Sequence, residues 1–262
     1  MVCGARVDEF RARLVDFLVT YAGSPGIAEA DRARVLKMAE GTIAISRNWR
    51  GAEKFADYFM GRGDKVSGFK WYQQSVSFLS SNPGARAPSE ERRILMTKLA
   101  AAQSLANDDH EGRTQIEYVP VTRGIDGSLE GIYSRALLRG AEAVPIPIPI
   151  NFYTNETRFT STGEKAMQEL ATAVLEQRVR TMKLIGHADP RGTAQHNMDL
   201  SRRRVEAVRD ELLRRGVRAE IRIEWKGKEQ PFDISVLPYR PAQEEEWQLD
   251  RRVEWEREAQ PE

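Results

Sequence analysis

Between Val144 and Phe152 the chain alternates apolar residues with three prolines, in the order VPIPIPINF. A repeat of two places every apolar side chain of this segment on one face of an extended strand. The prolines lack the N–H donor that a strand in the middle of a sheet must supply to its neighbour. The segment therefore predicts a strand at the edge of a sheet.

The first 110 residues have a different periodicity, the 3–4 spacing of apolar residues that is typical of amphipathic helices. Predicted helices cover residues 7–21, 28–46, 52–60 and 66–79, and a fifth begins at Ser89, a residue type that can cap a helix. The segment GDKVSGFKWYQQSVSFLSSNP resembles the second helix of a tetratricopeptide repeat. Stacked repeats need neighbours to bury their faces, and only one passable copy is present. Residues 1–110 are therefore predicted to form an all-helical domain, either a plain bundle or a tetratricopeptide-like array.

Residues 111–143 show little periodicity and are interpreted as a connector to a second domain at 144–262. In this domain Ser161-Thr162-Gly163-Glu164 has the spacing of a capping box. The pattern then predicts a strand at 181–186, a helix at 197–215 that ends at Gly216, and a strand at 219–225. Strand, helix, strand, helix, strand implies right-handed crossovers, and so a small mixed sheet with its helices packed on one side. The chain as a whole is predicted to be α+β.

Charge and composition exclude several classes of function. Forty basic residues nearly balance 39 acidic ones, so the formal charge of +1 gives no overall attraction to nucleic acid or to an anionic membrane. No apolar run approaches the roughly 20 residues of a membrane span, and MVCGARVDEF lacks the apolar stretch of a secretory signal. Cys3 is the only cysteine, which excludes an internal disulfide. It is either an ordinary thiol or the lipid-carrying residue of a lipoprotein whose leader is missing from this sequence.

The most specific motif lies after the predicted strand at 181–186. The segment LIGHADPRGTAQHNMDLSRRRVEAV resembles the signature of the OmpA-like C-terminal peptidoglycan-binding domain, a family that includes OmpA, the peptidoglycan-associated lipoprotein and MotB. NFYTNETRFTSTGEKAMQEL resembles the family's opening strand and helix, and DRRVE resembles its closing strand. Three matches in the family's order are much stronger than one short motif. The resemblance covers about residues 144–256.

This resemblance implies non-covalent binding of peptidoglycan through the diaminopimelate of its peptide stem, in the periplasm or cell envelope, without catalysis and without a cofactor. In the family an aspartate holds the ligand's ammonium and an arginine holds its carboxylate. The positions of this sequence that match the family's binding residues are Asp189, Arg204, Asn197, Tyr153, Thr154 and Asn155. Tyr153 stands where relatives often have aspartate, and Ala188 stands where threonine is common. At these two positions only the backbone contacts of the family could be kept.

Charge chemistry supports the same pair of residues. The head group of diaminopimelate is zwitterionic, and a fixed carboxylate with a planar, bidentate guanidinium complements it. Asp189 follows the C-terminal end of a predicted strand, where α/β sheets usually place ligands, and Arg204 lies at the margin of the buried stripe of its helix. Spacing alone favours a structural alternative, in which Asp189 pairs with Arg204 or caps its own turn. The family resemblance favours the binding role.

Other chemistry finds little support. The three histidines, His110, His187 and His196, have no second ligand at usable helical spacing, so neither a zinc centre nor any other metal site is expected. The charged insert KEQPFDISVLPYRPAQEEEWQL, residues 228–249, is predicted to be a surface loop. The helical domain is expected to recruit a protein partner. A first alternative is a cytoplasmic or envelope scaffold that uses both domains for protein contacts. A second is an enzyme in the helical domain, for which the sequence offers no set of acid, base and nucleophile.

Overall fold

The computed structural model describes residues 2–82, 87–108, 114–138 and 145–257. His110 and parts of the predicted connector lie outside the described residues. The helices are α1 Val2–Ala22, α2 Glu29–Ser46, α3 Trp49–Gly61, α4 Lys65–Ser81, α5 Ser89–Ala106, α6 Arg135–Leu138, α7 Ser161–Glu176, α8 Ala194–Arg214 and α9 Gln243–Asp250. The strands are β1 Pro145–Ile148, β2 Thr181–Gly186, β3 Glu220–Trp225 and β4 Val253–Arg257, and short 3-10 turns lie at Gly131–Tyr133 and Ile234–Val236. The chain is α+β, as its sequence predicted.

The five helices that periodicity predicted in the first 110 residues are all present. Asp64 begins α4 by accepting a hydrogen bond from the Ser67 N–H at 3.0 Å, directly after the tight link from α3. The prediction that Ser89 caps α5 is wrong. Pro88 occupies the capping position and Ser89 is already helical, because the fixed φ of proline suits the residue that enters a helix.

The four strands form one mixed sheet in the order β1-β4-β2-β3. β2 and β3 are parallel and are joined by α8, whereas β4 is antiparallel to both of its neighbours. β1 lies at the edge, as its prolines predicted, with Ile146 opposite Trp255 and Ile148 opposite Val253. Within the described residues, no helix is both long and apolar enough to cross a membrane.

The two long helices that pack against the sheet, α7 and α8, have well-defined ends. α7 begins with a cap, but the capping residue is Thr160, whose Oγ1 accepts a hydrogen bond from the Gly163 N–H at 3.1 Å. The predicted capping box at Ser161 is wrong: the cap lies one residue earlier, and Gly163, at the third helical position, has no side chain to complete a box. Gly216 follows α8 with φ +88, a left-handed conformation that glycine adopts without strain, and the predicted helix end is confirmed.

The insert at 228–249 lies mostly at the surface, as its charge predicted, but it is not simply a loop. Phe232 and Leu249 are buried against Ala101 of α5, and α9 occupies the last third of the insert. An ion pair between Lys65 of α4 and Glu245 of α9, at 3.0 Å, adds a second contact with the helical region. The helix and these contacts were not predicted, because the few apolar residues of the insert pack against partners that are distant in sequence.

One cluster of buried apolar side chains runs through both halves of the chain, from Val15 in α1 to Trp255 in β4. The described part of the connector takes part in this core. Tyr133, fully buried, lies 6.4 Å from Trp255 between ring centroids. The helical region and the sheet region therefore pack as one body in this structure.

Candidate functional site

A pocket of about 270 Å³ opens beside the C-terminal end of β2. Three segments surround it: the loop after β1, the turn after β2 and the first half of α8. The segment after α9 contributes one further residue. The lining residues are Thr154, Asn155, Ala188, Asp189, Arg191, Gly192, His196, Asn197, Leu200, Arg204 and Arg251.

The turn after β2 is shaped by a buried amide. Asn197, only 2% exposed, donates from Nδ2 to the carbonyl oxygens of Asp189 at 3.1 Å and Arg191 at 2.8 Å. Gly192 has φ +83, which allows the chain to reverse before Thr193 caps α8. The Asn197 side chain thus determines where Asp189 lies.

Asp189 is nearly buried and accepts hydrogen bonds from two arginines. Its Oδ1 accepts from the Arg191 backbone N–H at 3.1 Å and from Arg191 Nε at 3.0 Å, and its Oδ2 accepts from Arg191 Nη2 at 2.7 Å and Arg251 Nη1 at 3.2 Å. Burial alone would raise the pKa of Asp189, but the hydrogen bonds and charge of Arg191, with the bond from Arg251, lower that pKa below its usual range. The pocket therefore contains an ionised carboxylate. The backbone bond from Arg191 also means that Asp189 caps its turn, as the structural alternative predicted.

Arg204 is 2% exposed and lies on α8. Its Nε donates to the Glu156 carbonyl at 3.1 Å, its Nη2 donates to the Tyr153 carbonyl at 3.2 Å, and its guanidinium carbon is 4.9 Å from the centre of the Phe152 ring. These contacts hold the loop after β1 against α8. Arg204 also lines the pocket, so that a positively charged residue and Asp189 share one cavity.

The loop after β1 supplies two of its three predicted residues to the pocket. Thr154 and Asn155 are exposed and line it, and Asn155 Oδ1 lies 3.3 Å from His196 Nε2. Tyr153 is not among the described residues that line the pocket. Its carbonyl binds Arg204, and its ring lies 4.1 Å below the Arg158 guanidinium. Of the six predicted site residues, the structure brings together Asp189, Arg204, Asn197, Thr154 and Asn155.

Two arginines of the pocket were not anticipated from sequence. Arg191 lies inside the recognised motif, two residues after Asp189, so its proximity could have been expected. Arg251 lies 62 positions from Asp189, and its side chain reaches the pocket because β4 inserts between β1 and β2. Only a prediction of strand order would have found it.

A second buried charged cluster lies next to the site. His187, 1% exposed, has Nε2 3.2 Å from Glu254 Oε2, and Arg252 Nε donates to Glu254 Oε1 at 2.8 Å. Burial would raise the pKa of Glu254, but His187 and Arg252 together lower that pKa to about 2. In the described part of the chain, no three histidine, cysteine or acidic residues are grouped as metal ligands.

The comparisons with known proteins concern this same region. A family model described as "OmpA family" matches residues 151–243. No curated protein matches the chain.

Several solved structures are similar to parts of the chain. The peptidoglycan-associated lipoprotein from Burkholderia pseudomallei is 26% identical, with 40% of this chain and 86% of that chain covered and a TM-score of 0.34. The OmpA-like domain of FopA1 from Francisella tularensis is 16% identical, with 47% and 86% covered and a TM-score of 0.34. The cell wall anchor of the T6SS from Pseudomonas aeruginosa is 19% identical, with 59% and 94% covered and a TM-score of 0.33.

The matched segment includes β2, α8, β3 and every lining residue of the pocket except Arg251. It also includes two of the three sequence matches to the family, and the third, the closing strand, lies beyond it. The chain therefore contains a match to the OmpA family at residues 151–243, within the sheet region.

Proposed function

We propose that the pocket binds the diaminopimelate residue of the peptidoglycan peptide stem, and that this contact tethers the chain non-covalently to the cell wall. The observation that carries the proposal is the shared cavity of Asp189 and Arg204, one ionised carboxylate and one guanidinium within the segment that matches the OmpA family. Asp189 would receive the ligand's ammonium and Arg204 its carboxylate.

The charge of the lining residues favours a ligand that carries carboxylates. Three arginines, Arg191, Arg204 and Arg251, face one aspartate, Asp189, which leaves a formal charge of +2 with His196 neutral. A peptide stem with several free carboxylates is attracted to such a pocket, and guanidinium groups bind carboxylates with two parallel hydrogen bonds. The proposal therefore assigns recognition, and no bond-making step, to this site.

For the ligand's ammonium to reach Asp189, Arg191 must give up part of its hydrogen bonding to that carboxylate. Its side chain is 43% exposed, packs with its guanidinium carbon 4.6 Å from the centre of the Trp247 ring, and donates to both oxygens of Asp189. Because 43% of the Arg191 side chain is exposed, water can solvate the part of its guanidinium that leaves Asp189, which lowers the cost of this exchange. The ammonium of the ligand would then take its place on one oxygen.

Such binding would place the chain, with any protein partner of its helical region, at the peptidoglycan of the cell envelope. The test is a calorimetric titration of the full chain with the stem tripeptide that ends in meso-diaminopimelate, beside the same peptide with lysine in that position. Lysine lacks the terminal carboxylate that Arg204 would bind. We expect affinity for the lysine peptide to be about tenfold to a hundredfold weaker, the effect of one charge-assisted hydrogen-bonded contact. Equal affinities, or no binding of either peptide, would overturn the proposal.

A further inference from the structure

A row of hydrogen bonds between buried polar residues connects the pocket with the end of α5 in the helical region. Its four members are Arg251, Gln248, Asn151 and Asn107, with exposures of 6%, 4%, 5% and 3%. They come from four different segments: the residue after α9, α9 itself, the loop after β1 and the C-terminal cap of α5. The pocket and the helical region are thus joined by residues that solvent scarcely reaches.

The direction of each hydrogen bond in this row is fixed by Arg251, because a guanidinium can only donate. Arg251 Nη2 donates to Gln248 Oε1 at 2.7 Å, so the Gln248 amide nitrogen must face the other way. The Gln248 Nε2 donates to Asn151 Oδ1 at 2.6 Å, and Asn151 Nδ2 donates to the backbone carbonyl oxygen of Asn107 at 3.3 Å. One orientation therefore satisfies every amide in the row.

Asn107 anchors the far end of the row. It accepts a hydrogen bond from the Val119 N–H at 2.7 Å and donates to the carbonyl oxygens of Val119 and Gln103, both at 3.1 Å. These contacts join α5 to the described part of the connector. The position of Asn151, and through it of Gln248, is consequently set by the helical region as well as by the sheet.

Gln248 is the member that determines the position of Arg251. The guanidinium has two close partners, Asp189 at 3.2 Å and Gln248 at 2.7 Å. A competing partner, Glu244 of α9, is 3.7 Å away and its side chain is 59% exposed. Without the Gln248 oxygen, the guanidinium would lose its shorter hydrogen bond and would be shared between Asp189 and Glu244 alone, which fixes its position less closely.

We propose that Gln248 is a positioning residue of the ligand pocket, which holds Arg251 against Asp189 and thereby aims the carboxylate at the ligand's ammonium. The insert at 228–249 and the helical region then belong to the binding machinery without touching the ligand. This inference rests on the proposed function. It gives the insert a role that its sequence did not reveal.

The test uses Gln248→Met, which keeps the size of the side chain and removes both hydrogen bonds. The probes are two stem tripeptides, one ending in meso-diaminopimelate and one ending in 2-aminopimelate, which lacks the terminal ammonium. We expect the variant to lose about tenfold in affinity for the diaminopimelate peptide and less than twofold for the analogue. A general structural defect would instead weaken both peptides alike.

Matched variants complete the design. Gln243→Met lies on the exposed side of the same helix and should bind both peptides as the wild type does. If Gln248→Met fails to fold, Gln248→Asn replaces it. Its shorter side chain moves the amide away from Arg251 and Asn151, and we expect the same selective loss of affinity for the diaminopimelate peptide.

The outcomes separate this inference from the proposed function. If the wild type binds neither peptide, the proposed function fails and the inference fails with it. The second case is a wild type that prefers the diaminopimelate peptide and a Gln248→Met variant, or its substitute Gln248→Asn, that keeps the full preference. Gln248 then has no positioning role, and only the inference is overturned.

Discussion

Arg204 combines two tasks in one side chain. The planar guanidinium donates from two nitrogens to two carbonyls of the loop after β1 and still lines the pocket. A lysine ammonium carries the same charge but cannot reproduce that fork. The identity of the residue should therefore matter more than its charge.

We expect Arg204→Lys to weaken binding of the diaminopimelate tripeptide about tenfold to a hundredfold, the loss of one charge-assisted bidentate contact. Titration calorimetry measures the change. Arg203→Lys is the matched control, because Arg203 is the exposed neighbour on the same helix and should bind like the wild type. If Arg204→Lys binds as tightly as Arg203→Lys, the bidentate role assigned to Arg204 is incorrect.

Single residues also show how far sequence reasoning could go. Asp189 and Arg204 were predicted to line a site because they occupy fixed places in a local motif, and the structure puts both in one pocket. Their detailed partners were not predictable. Whether Asp189 pairs with Arg191, Arg204 or Arg251 depends on side-chain directions and on the strand order of the sheet, which no local spacing contains.

At the scale of elements, the pocket depends on the close approach of β2 and α8. A Cβ on Gly186 would lie 2.4 Å from the Ser201 carbonyl oxygen, a backbone atom that cannot move aside. Glycine at the end of β2 thus lets the helix that carries Arg204 pack against the strand that leads to Asp189. Substitution there should separate the two walls of the pocket.

Gly186→Ala should lower the free energy of unfolding by roughly 1–3 kcal/mol, because overpacking forces a backbone shift. Chemical denaturation monitored by circular dichroism gives this value. Gly41→Ala is the control in α2, where a Cβ would have no atom within 4 Å, and it should leave stability unchanged or raise it by up to about 1 kcal/mol. Equal stability of the two variants would show that β2 and α8 are not in close contact.

Elements differ in how well their sequences predicted them, for physical reasons. β1 was placed at a sheet edge because proline restricts any chain in the same way, wherever it is. α9 was missed because it is short and buries few apolar side chains, which depend on Ala101 of α5 for their burial. Features that depend on residues within one element could be predicted from sequence, and features that depend on a partner distant in sequence could not.

At the scale of the whole molecule, Glu169 of α7 joins three regions. Its Oε2 accepts hydrogen bonds from Gln103 of α5 at 3.1 Å and from the Tyr118 hydroxyl at 3.0 Å, and its Oε1 accepts one from the Val121 N–H at 2.8 Å. Burial raises the pKa of Glu169 to about 7, and the three hydrogen bonds offset only part of that effect. The packing of helices, connector and sheet therefore encloses a carboxyl group that titrates near neutrality.

A carboxyl whose pKa is higher in the folded state stabilises the fold below its unfolded pKa, near 4.5, and loses that contribution as pH rises through about 7. We expect the unfolding free energy to fall between pH 4.5 and 7.5 by at most about 3 kcal/mol from this group. Glu169→Gln should remove most of the slope. Glu164→Gln, on the exposed side of α7, should retain it, and a slope unchanged in Glu169→Gln would contradict the assignment.

Binding of the chain to the cell wall is tested most directly by sedimentation of the full chain with purified diaminopimelate-type peptidoglycan. The wild type should appear in the pellet. Asp189→Asn keeps the size of the side chain and removes its charge, and the fraction of this variant left in the supernatant should be at least tenfold larger than that of the wild type. Asp210→Asn, an exposed acid on α8, should pellet like the wild type. Equal pelleting of Asp189→Asn and wild type would contradict the claim that this carboxylate holds the chain on the wall.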